Sequence, residues 1–324
     1  MRRIHELYSE RQVTYEENAF LIPGYRFYGG EGKFPLRVHI LAMGDVGGTL
    51  ALAMKLTGRD RVSEIGICDI APAALARWEQ ELNQIVMPED PNAFPPVKIV
   101  EEKDTFDCDV FVFCASRGVP DLTQNHVDVR MVQLEKNREL VSAYARKALE
   151  DGFTGEFFVV SDPVDPLCRT AVERGIDPWR VQGFGLGVMY GRARYYAGQD
   201  EKFKRFLDCG RVFGPHGEDL VVADSITDYD DEVSLELTRL TTSANLRVRE
   251  LGFKPYIAPA VSSGALSILE NLRGGWHYSS LWFGGAFLGA RNRRTEGGLL
   301  VEDLPLDDAL FDRIAKAYRA LEKI

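Results

Sequence analysis

Apolar residues in the first half of the chain form short runs that end in glycine turns or helical patterns. The run 38–41 leads into a glycine-rich turn at 44–48, a helical pattern continues to Lys55, and another apolar run follows at 65–69. Short apolar runs bounded by turns indicate buried strands, and apolar spacing of three to four residues indicates a helix. The order therefore predicts a strand, a helix and a second, parallel strand.

The same alternation continues further along the chain. Apolar runs at 110–113 and 157–160 flank a long helical pattern at 129–150, and an amphipathic helical pattern extends from 306 to 324. Strands that alternate with helices are typical of an α/β protein with a doubly wound parallel sheet. In such sheets ligands bind beyond the carboxyl ends of the strands, so we expect the site there.

Composition and charge exclude several classes of protein. The 324 residues are 45% hydrophobic and 27% charged, with a net charge of −10, and they contain five cysteines. We expect no membrane span, because no apolar run approaches ~20 residues, and no nucleic-acid partner, because no Lys/Arg tract is present. Polar residues follow the basic N-terminus, which predicts a cytoplasmic protein without a secretory signal. The cysteines lack CxxC or metal-type spacing and predict reduced core residues and no metal site.

The turn after the first predicted strand has the pattern of a dinucleotide-binding loop. Residues 42–47, Ala-Met-Gly-Asp-Val-Gly, occupy the place of Gly-x-Gly-x-x-Gly, with alanine at the first glycine. Gly44 would let the backbone approach a pyrophosphate, and Gly47 would let the helix pack closely on the strand. Asp45 and Val46 lie at the helix start, where unpaired N–H groups attract anions.

An acidic residue at the end of the second predicted strand indicates which dinucleotide binds. Asp69 follows Gly44 by 25 residues. A carboxylate there accepts hydrogen bonds from both ribose hydroxyls and repels a 2′-phosphate, which favours NAD over NADP. The alternative interpretation of residues 42–47 is a tight turn between a strand and a helix that binds no ligand.

Six further motifs follow one another along the chain. They are Cys-Ala-Ser-Arg at 114–117, Arg130 with Asn137 seven residues later, Val-Ser-Asp-Pro-Val-Asp at 160–165, the segment 180–195, Phe-Gly-Pro-His-Gly at 213–217, and Tyr-Ile-Ala-Pro-Ala at 256–260. In this order they resemble the lactate/malate dehydrogenase superfamily, from about residue 37 to the C-terminus.

The resemblance implies a domain plan, a cofactor and a substrate class. An N-terminal arm (1–36) would precede a Rossmann domain that binds NAD (37–180) and an α+β catalytic domain (181–324). The protein would be an NAD-dependent oxidoreductase of a 2-hydroxy or 2-oxo acid, assembled as a homodimer or homotetramer. Beyond the glycine loop, the resemblance implies four further residues near the cofactor: Ala115, Ser116, Asn137 and Ser161.

The same resemblance implies catalytic roles for three residues. His216 would act as the acid/base, because imidazole gains and loses a proton near neutral pH. Arg192 would hold the substrate carboxylate through two parallel hydrogen bonds. Arg130, at the end of a loop that closes over the substrate in this family, would polarise the carbonyl.

Two positions depart from the family pattern. Met189 stands where the family has the aspartate that pairs with the catalytic histidine, and Asp162 stands where the family has an asparagine. One hypothesis is that Asp162 takes over the pairing with His216. A second is that the added anion disfavours dianionic substrates such as malate and favours a hydroxyl- or amine-bearing one. A third is a binding or regulatory protein that retains NAD but has lost or changed the dehydrogenase chemistry.

The segment between Arg117 and Arg130 also departs from the pattern, because it is longer than in the family and lacks the Arg-Lys-Pro-Gly stretch. This difference argues against a second carboxylate clamp and thus against malate. Gln124, Asn125 and His126 are candidates for substrate contact. The NAD-dependent glycosidases share this fold but use a Cys/His metal site, for which the sequence has no matching motif.

Overall fold

The computed structural model of the chain describes residues 1–10, 13–28, 35–117 and 129–324; for residues 129–132 it describes the backbone alone. The described strands are β1 (Thr14–Glu16), β2 (Ala19–Ile22), β3 (Leu36–Leu41), β4 (Val62–Cys68), β5 (Val97–Ile99), β6 (Val110–Phe113), β7 (Glu156–Val159), β8 (Val181–Gly183), β9 (Arg211–Phe213), β10 (Val221–Ala223), β11 (His277–Trp282), β12 (Phe287–Thr295) and β13 (Gly298–Glu302).

The α-helices in the described ranges alternate with the strands in the first half and cluster in the second. They are α1 (Asp45–Thr57), α2 (Pro72–Asn83), α3 (Val129–Glu150), α4 (Val164–Glu173), α5 (Leu186–Ala197), α6 (Phe206–Cys209), α7 (Asp231–Glu250), α8 (Ser267–Arg273) and α9 (Asp308–Glu322). A π-helical segment, Pro259–Leu266, leads directly into α8.

The first half of the chain forms a parallel sheet in the order β5-β4-β3-β6-β7-β8. The first strand of the set, β3, lies in the centre, and the order reverses between β3 and β6. Strands β6 and β7 are buried along their whole length, as expected when helices cover both faces of a sheet. This arrangement confirms the doubly wound α/β fold.

The second half extends the same sheet with antiparallel strands. β11 pairs with the edge of β8, and β12, β13, β2 and β1 follow in that order. The N-terminal hairpin β1–β2 therefore forms the far edge of this sheet, beside β13. β8 begins at Val181 and is the last parallel strand. The predicted boundary between the Rossmann domain and the catalytic domain lies directly before this residue. The three-part domain plan itself stays a prediction.

The junction between the two halves contains a buried ion pair. Arg294 on β12 and Glu156 on β7 are both fully buried, and Arg294 Nη2 lies 2.6 Å from Glu156 Oε2. The same nitrogen donates to Gln182 Oε1 of β8 at 2.6 Å. Because a buried charge without its partner is strongly destabilising, these three strands are held in one register relative to each other.

The C-terminal helix buries the apolar face that the spacing of its hydrophobic residues predicts. The predicted helix spans 306–324 and the observed helix α9 spans 308–322, with Asp307 accepting a hydrogen bond from the Ala309 N–H. Its buried side chains are Leu310, Phe311, Ile314, Ala315, Ala317, Tyr318 and Leu321. They join the core of the antiparallel half, together with residues of β2, β12 and β13.

The described part of the chain contains no helix long and apolar enough to cross a membrane. All five cysteines are free thiols. Within the described ranges no three His, Cys, Asp or Glu side chains are grouped as a metal site would require.

Candidate active site

A cavity of ≈ 190 Å³ opens at the carboxyl ends of the central parallel strands, beside the start of α1. This is the crevice at which the strand order reverses, where doubly wound proteins bind ligands. Residues from seven separate stretches of the chain line it: Val46, Cys114, Ser116, Gln133, Val160, Ser161, Asp162, Phe184, Gly185, Val188, His216, Pro259 and Ser263. The fold thus brings together Val46, Ser116, Ser161, Asp162 and His216, which the sequence predicts as site residues.

The loop between β3 and α1 has the geometry of a tight glycine turn, although its first residue is alanine. Ala42 has φ +73°, in the left-handed region that normally favours glycine. A Cβ on Gly47 would lie 2.0 Å from the Ala42 carbonyl oxygen, so only glycine fits there. At Gly44 a Cβ would meet no atom within 4 Å, so the backbone is open to a ligand.

We predict that Ala42→Gly stabilises the protein. An L-residue in the left-handed region costs about 1–2 kcal/mol, and glycine loses about 0.5–1 kcal/mol of extra chain entropy, so the net gain is roughly 0.5–1 kcal/mol. Urea unfolding measures the free energy of unfolding. Ala53→Gly, in the regular part of α1, is the matched control and should lower it by about 1 kcal/mol. Equal losses in both variants would contradict the strain at Ala42.

Asp69, which directly follows β4, is hydrogen-bonded to the backbone of the glycine loop. Its Oδ2 accepts a hydrogen bond from the Met43 N–H at 2.6 Å, and its Oδ1 accepts one from the Ala71 N–H at 2.9 Å. The Trp78 indole donates to the Met43 carbonyl at 2.8 Å. Because each carboxylate oxygen has a second lone pair, Asp69 retains acceptor capacity at this half-buried position.

Asn137 and Ser161 connect the ends of neighbouring strands beneath the cavity. The fully buried Asn137 accepts a hydrogen bond from the Arg117 N–H at 3.0 Å and donates to the Asp162 carbonyl at 2.8 Å. Ser161 Oγ donates to the Ala115 carbonyl at 2.8 Å. These bonds position the backbone around Asp162, and the Asn137 amide is occupied by the protein's own groups.

His216 and Asp162 are in direct contact. His216 Nδ1 lies 2.7 Å from Asp162 Oδ1, and the imidazole is the more buried partner, with 15% of its side chain exposed against 52% for Asp162. Gly185, at the start of α5, makes room for the histidine: a Cβ there would lie 2.8 Å from His216 Cβ. With Nδ1 bound to a carboxylate, Nε2 is the ring nitrogen left to exchange a proton with a ligand.

Met189 is packed in the core and gives the histidine no polar partner. It is 2% exposed and belongs to the apolar cluster beneath α5. One turn further along, Arg192 donates to the Met189 sulfur at 3.5 Å. Burial lowers the pKa of Arg192, while the Asp162 charge acts in the opposite direction.

Arg192 lines a second, larger cavity of ≈ 620 Å³ between α5, α7 and the π-helical segment. Val188 and Pro259 line both cavities, so the two spaces are adjacent. His216 thus lines the first cavity and Arg192 lines the second, and Val188 and Pro259 lie between the two cavities.

Several predicted residues lie outside what the structure describes. Gln124, Asn125 and His126 are outside the described residues. Arg130 lies in the first turn of α3, and its side chain is outside them as well. Their predicted roles are untested by the geometry.

The structure adds residues to which the sequence assigned no role. The Ser263 hydroxyl accepts from the Val188 N–H and donates to the Gly185 carbonyl, both at 2.8 Å, and so joins the π-helical segment to the start of α5. Asp165 is buried three residues after Asp162. It is the last residue of the Val-Ser-Asp-Pro-Val-Asp motif at 160–165, and this motif is the sequence feature that includes it.

The chain is similar to known dehydrogenases in sequence and in fold. No family model matches the chain. It is 29% identical over 186 residues to L-lactate dehydrogenase 2 of Staphylococcus aureus strains JH9 and Newman, and the match covers 57% of this chain and 56% of each relative. The chain is thus matched over just over half the length of these curated relatives.

Three solved structures share the fold. The minor L-lactate dehydrogenase of Enterococcus mundtii superimposes with a TM-score of 0.73 at 20% identity. A deep-sea metagenome lactate dehydrogenase gives 0.72 at 21%, and the Archaeoglobus fulgidus malate dehydrogenase in complex with NADH gives 0.70 at 19%. Each match covers 89% of this chain and 97% of the other.

The strand order, the glycine loop and the crevice at the strand ends define a Rossmann-type α/β protein. Over just over half of its length the chain is similar in sequence to L-lactate dehydrogenases, and its fold is that of the solved lactate and malate dehydrogenases.

Proposed function

We propose that the protein is an NAD-dependent oxidoreductase that interconverts a 2-hydroxy acid and the corresponding 2-oxo acid, with His216 as the acid/base. The observation that carries this proposal is the 2.7 Å hydrogen bond between His216 Nδ1 and Asp162 Oδ1. A carboxylate on Nδ1 fixes the tautomer, orients the ring and stabilises the imidazolium that forms when Nε2 takes a proton. Asp162 thereby replaces the aspartate that Met189 has displaced.

The residues around the glycine loop fit a dinucleotide. The first N–H groups of α1 have no partner within the helix, and Gly44 offers no side-chain cap. The open space at Gly44 leaves these groups accessible to a pyrophosphate, and Asp69 would accept hydrogen bonds from the adenosine ribose. Further contacts are assigned to residues about the cavity: Asp45, Val46, Gly47, Ala115, Ser116 and Ser161. When bound, the nicotinamide supplies the hydride acceptor or donor.

Arg192 and Arg130 are assigned to the substrate. The half-buried Arg192 guanidinium would hold the substrate carboxylate in a two-bond contact, which orients the 2-hydroxyl toward the neighbouring cavity that His216 lines. Arg130 would stabilise negative charge on the 2-oxygen from the loop side. His216 Nε2 takes the hydroxyl proton during oxidation and returns it during reduction.

The charge of Asp162 narrows the substrate class. Half of its side chain is exposed at the cavity, beside the histidine. A second carboxylate on the substrate would meet this anion, and a unit charge at several ångströms disfavours binding by about tenfold or more. We therefore infer a preference for monocarboxylate 2-oxo acids over dianionic ones such as oxaloacetate.

A homo-oligomer is proposed from exposed apolar residues on α5, on α7 and in the segment that joins α7 to the π-helical segment. They are Tyr195, Leu246, Leu251, Phe253 and Ile257, each more than half exposed. Large exposed apolar patches mark association surfaces, and a second copy of the chain is the partner that the superfamily resemblance implies. Sedimentation equilibrium measures the assembly state, and a monomer at micromolar concentration would contradict it.

The proposal is tested with a panel of 2-oxo acids and NADH, followed by loss of nicotinamide absorbance. Linear and branched monocarboxylates should turn over, and oxaloacetate should react at least about tenfold more slowly in kcat/KM. A parallel titration of NADH fluorescence measures cofactor binding on its own. NADPH serves as the matched control and should bind more weakly, because Asp69 repels its 2′-phosphate.

The two readouts separate the alternatives. NADH binding without turnover of any 2-oxo acid would favour a binding or regulatory protein and contradict the dehydrogenase. Absence of NADH binding would contradict the cofactor assignment as well.

A further inference from the structure

The second cavity, of ≈ 620 Å³, is larger than a small 2-oxo acid requires. Cavities of roughly 300–1,000 Å³ hold drug-sized ligands in proteins, so a three-carbon acid would fill only a small part of this one. Val188 and Pro259 separate it from the cavity that His216 lines. A substrate that reacts at His216 thus has room for a large group on the far side of this border.

The described charged side chains that line this cavity are all cationic. They are Arg192, Arg247 and Lys254, and no acidic residue of the described ranges lies among the lining residues. Lys254 is paired with Asp45 at 3.0 Å. Arg192 donates to the Met189 sulfur at 3.5 Å and forms no ion pair within the described part of the chain. Because a thioether is a weak acceptor, the Arg192 guanidinium can bind the carboxylate of a ligand.

Apolar and aromatic side chains form most of the remaining wall of the cavity. They include Val188, Tyr195, Tyr196, Val248, Leu251 and Ile257. Tyr196 is 7% exposed, and the Arg247 guanidinium carbon lies 5.1 Å from the centre of its ring. Aromatic rings pack well against tyrosine rings and against guanidinium planes. The wall of the second cavity therefore favours an aromatic group on the ligand.

Gly191, on α5 directly before Arg192, leaves this space open. The nearest atom that a Cβ on Gly191 would meet in another described part of the fold is Ser262 Oγ, 4.0 Å away. At Gly187, one turn earlier, a Cβ would lie 2.4 Å from Ser267 Oγ, so that glycine is needed for packing of α5 on the π-helical segment and α8. Gly191 meets no such constraint, and its missing side chain enlarges the cavity beside the guanidinium.

We propose that the second cavity holds the side chain of the substrate, that this side chain is aromatic, and that Gly191 admits it. This inference rests on the proposed function and names its substrate class as 2-oxo and 2-hydroxy acids with an aryl group on C3. The carboxylate binds Arg192, and the reacting carbon lies at the border formed by Val188 and Pro259. The aromatic ring packs beside Gly191 and Tyr196.

The test compares pyruvate, phenylpyruvate and 2-oxoglutarate as substrates with NADH, in wild type and in Gly191→Val. Burial of a phenyl group contributes about 10–100-fold to a binding constant, so kcat/KM for phenylpyruvate should exceed that for pyruvate by at least about tenfold. The valine side chain fills the space beside Arg192 and should remove this advantage, with kcat/KM for pyruvate kept within about twofold. A wild-type protein that prefers pyruvate or 2-oxoglutarate would overturn the proposal.

Gly198→Val is the matched control, because Gly198 ends the same helix and does not line the cavity. A Cβ there would make ordinary contacts, 3.6 Å from the Arg194 carbonyl oxygen, so the wild-type ratio of the two substrates should persist. Gly191→Ala is the second variant and decides the question if Gly191→Val does not fold, since alanine is favoured over glycine within a helix. It should lower the ratio by less than valine does, and an unchanged ratio in a folded Gly191 variant would overturn the proposal.

A binding measurement separates this inference from the proposed function. 3-Phenyllactate and lactate are titrated calorimetrically into the full chain, with and without NADH; neither can react with NADH, because both partners are already reduced. Binding of 3-phenyllactate at least about tenfold tighter than that of lactate, lost in Gly191→Val, would support the aromatic pocket. If no 2-oxo acid then turns over, the proposed function alone is contradicted. Binding of 3-phenyllactate no tighter than that of lactate would overturn the pocket assignment, whatever the turnover.

Discussion

Asp162→Asn is expected to lower kcat by about 10³-fold, because loss of a carboxylate partner typically costs an acid/base histidine several orders of magnitude. The asparagine occupies nearly the same volume but carries no charge to stabilise the imidazolium, and it can hold the ring in the wrong tautomer. Steady-state reduction of the best 2-oxo acid of the panel measures the change. The NADH dissociation constant should remain within about twofold of wild type, because the contact concerns the histidine and not the cofactor.

Asp219→Asn provides the matched control, because it removes one negative charge from an exposed position close to the same loop. It should leave kcat unchanged. A near-normal rate in Asp162→Asn would contradict the view that Asp162 has replaced the aspartate lost at Met189.

The double variant Asp162→Asn/Met189→Asp restores the family arrangement of the two side chains. Partial recovery of kcat relative to Asp162→Asn alone would support relocation of the carboxylate. A recovery of activity that is confined to oxaloacetate would support selection of substrate as the main role of Asp162.

Arg192→Gln is expected to reduce kcat/KM for the 2-oxo acid by about 10³-fold. Two charge-assisted hydrogen bonds contribute about 1.5–3 kcal/mol each, and every 1.4 kcal/mol is tenfold in the rate or binding constant. Arg192→Lys keeps the charge but not the paired geometry of the guanidinium, so it should lie between the glutamine variant and wild type. Initial rates over a range of 2-oxo acid concentrations measure the change.

Arg194→Gln is the control for this experiment, because Arg194 is two residues further along the same helix, is exposed, and donates to the Leu207 carbonyl at 2.8 Å. It should retain kcat/KM and the NADH dissociation constant. A loss in Arg194→Gln equal to that in Arg192→Gln would contradict the assignment of the carboxylate anchor to Arg192.

Much of the fold could be predicted from local pattern, because buried parallel strands and amphipathic helices leave periodic signals. The strand that leads into residues 42–47 and the helix α9 are examples. The glycine turn was also evident despite Ala42, because Gly44 and Gly47 retain the required spacing. The left-handed backbone at Ala42 was not evident, since only the folded loop imposes that conformation.

The candidate site was predictable only where a motif marked it. His216 and Asp162 are 54 positions apart, and their pairing depends on the fold, which sets the loop after β9 against the end of β7. The role of Asn137 in holding the Asp162 backbone had no local signal, because a hydrogen bond between distant segments leaves no periodicity.

By itself, the sequence determined the α/β class, the dinucleotide-type loop, and the absence of the usual aspartate at Met189. These properties depend on residues close together in the chain, or on the identity of a single side chain. Only the tertiary structure decided which carboxylate faces the histidine. The physical reason is that hydrogen bonding and burial depend on how distant segments pack, and therefore on the whole fold.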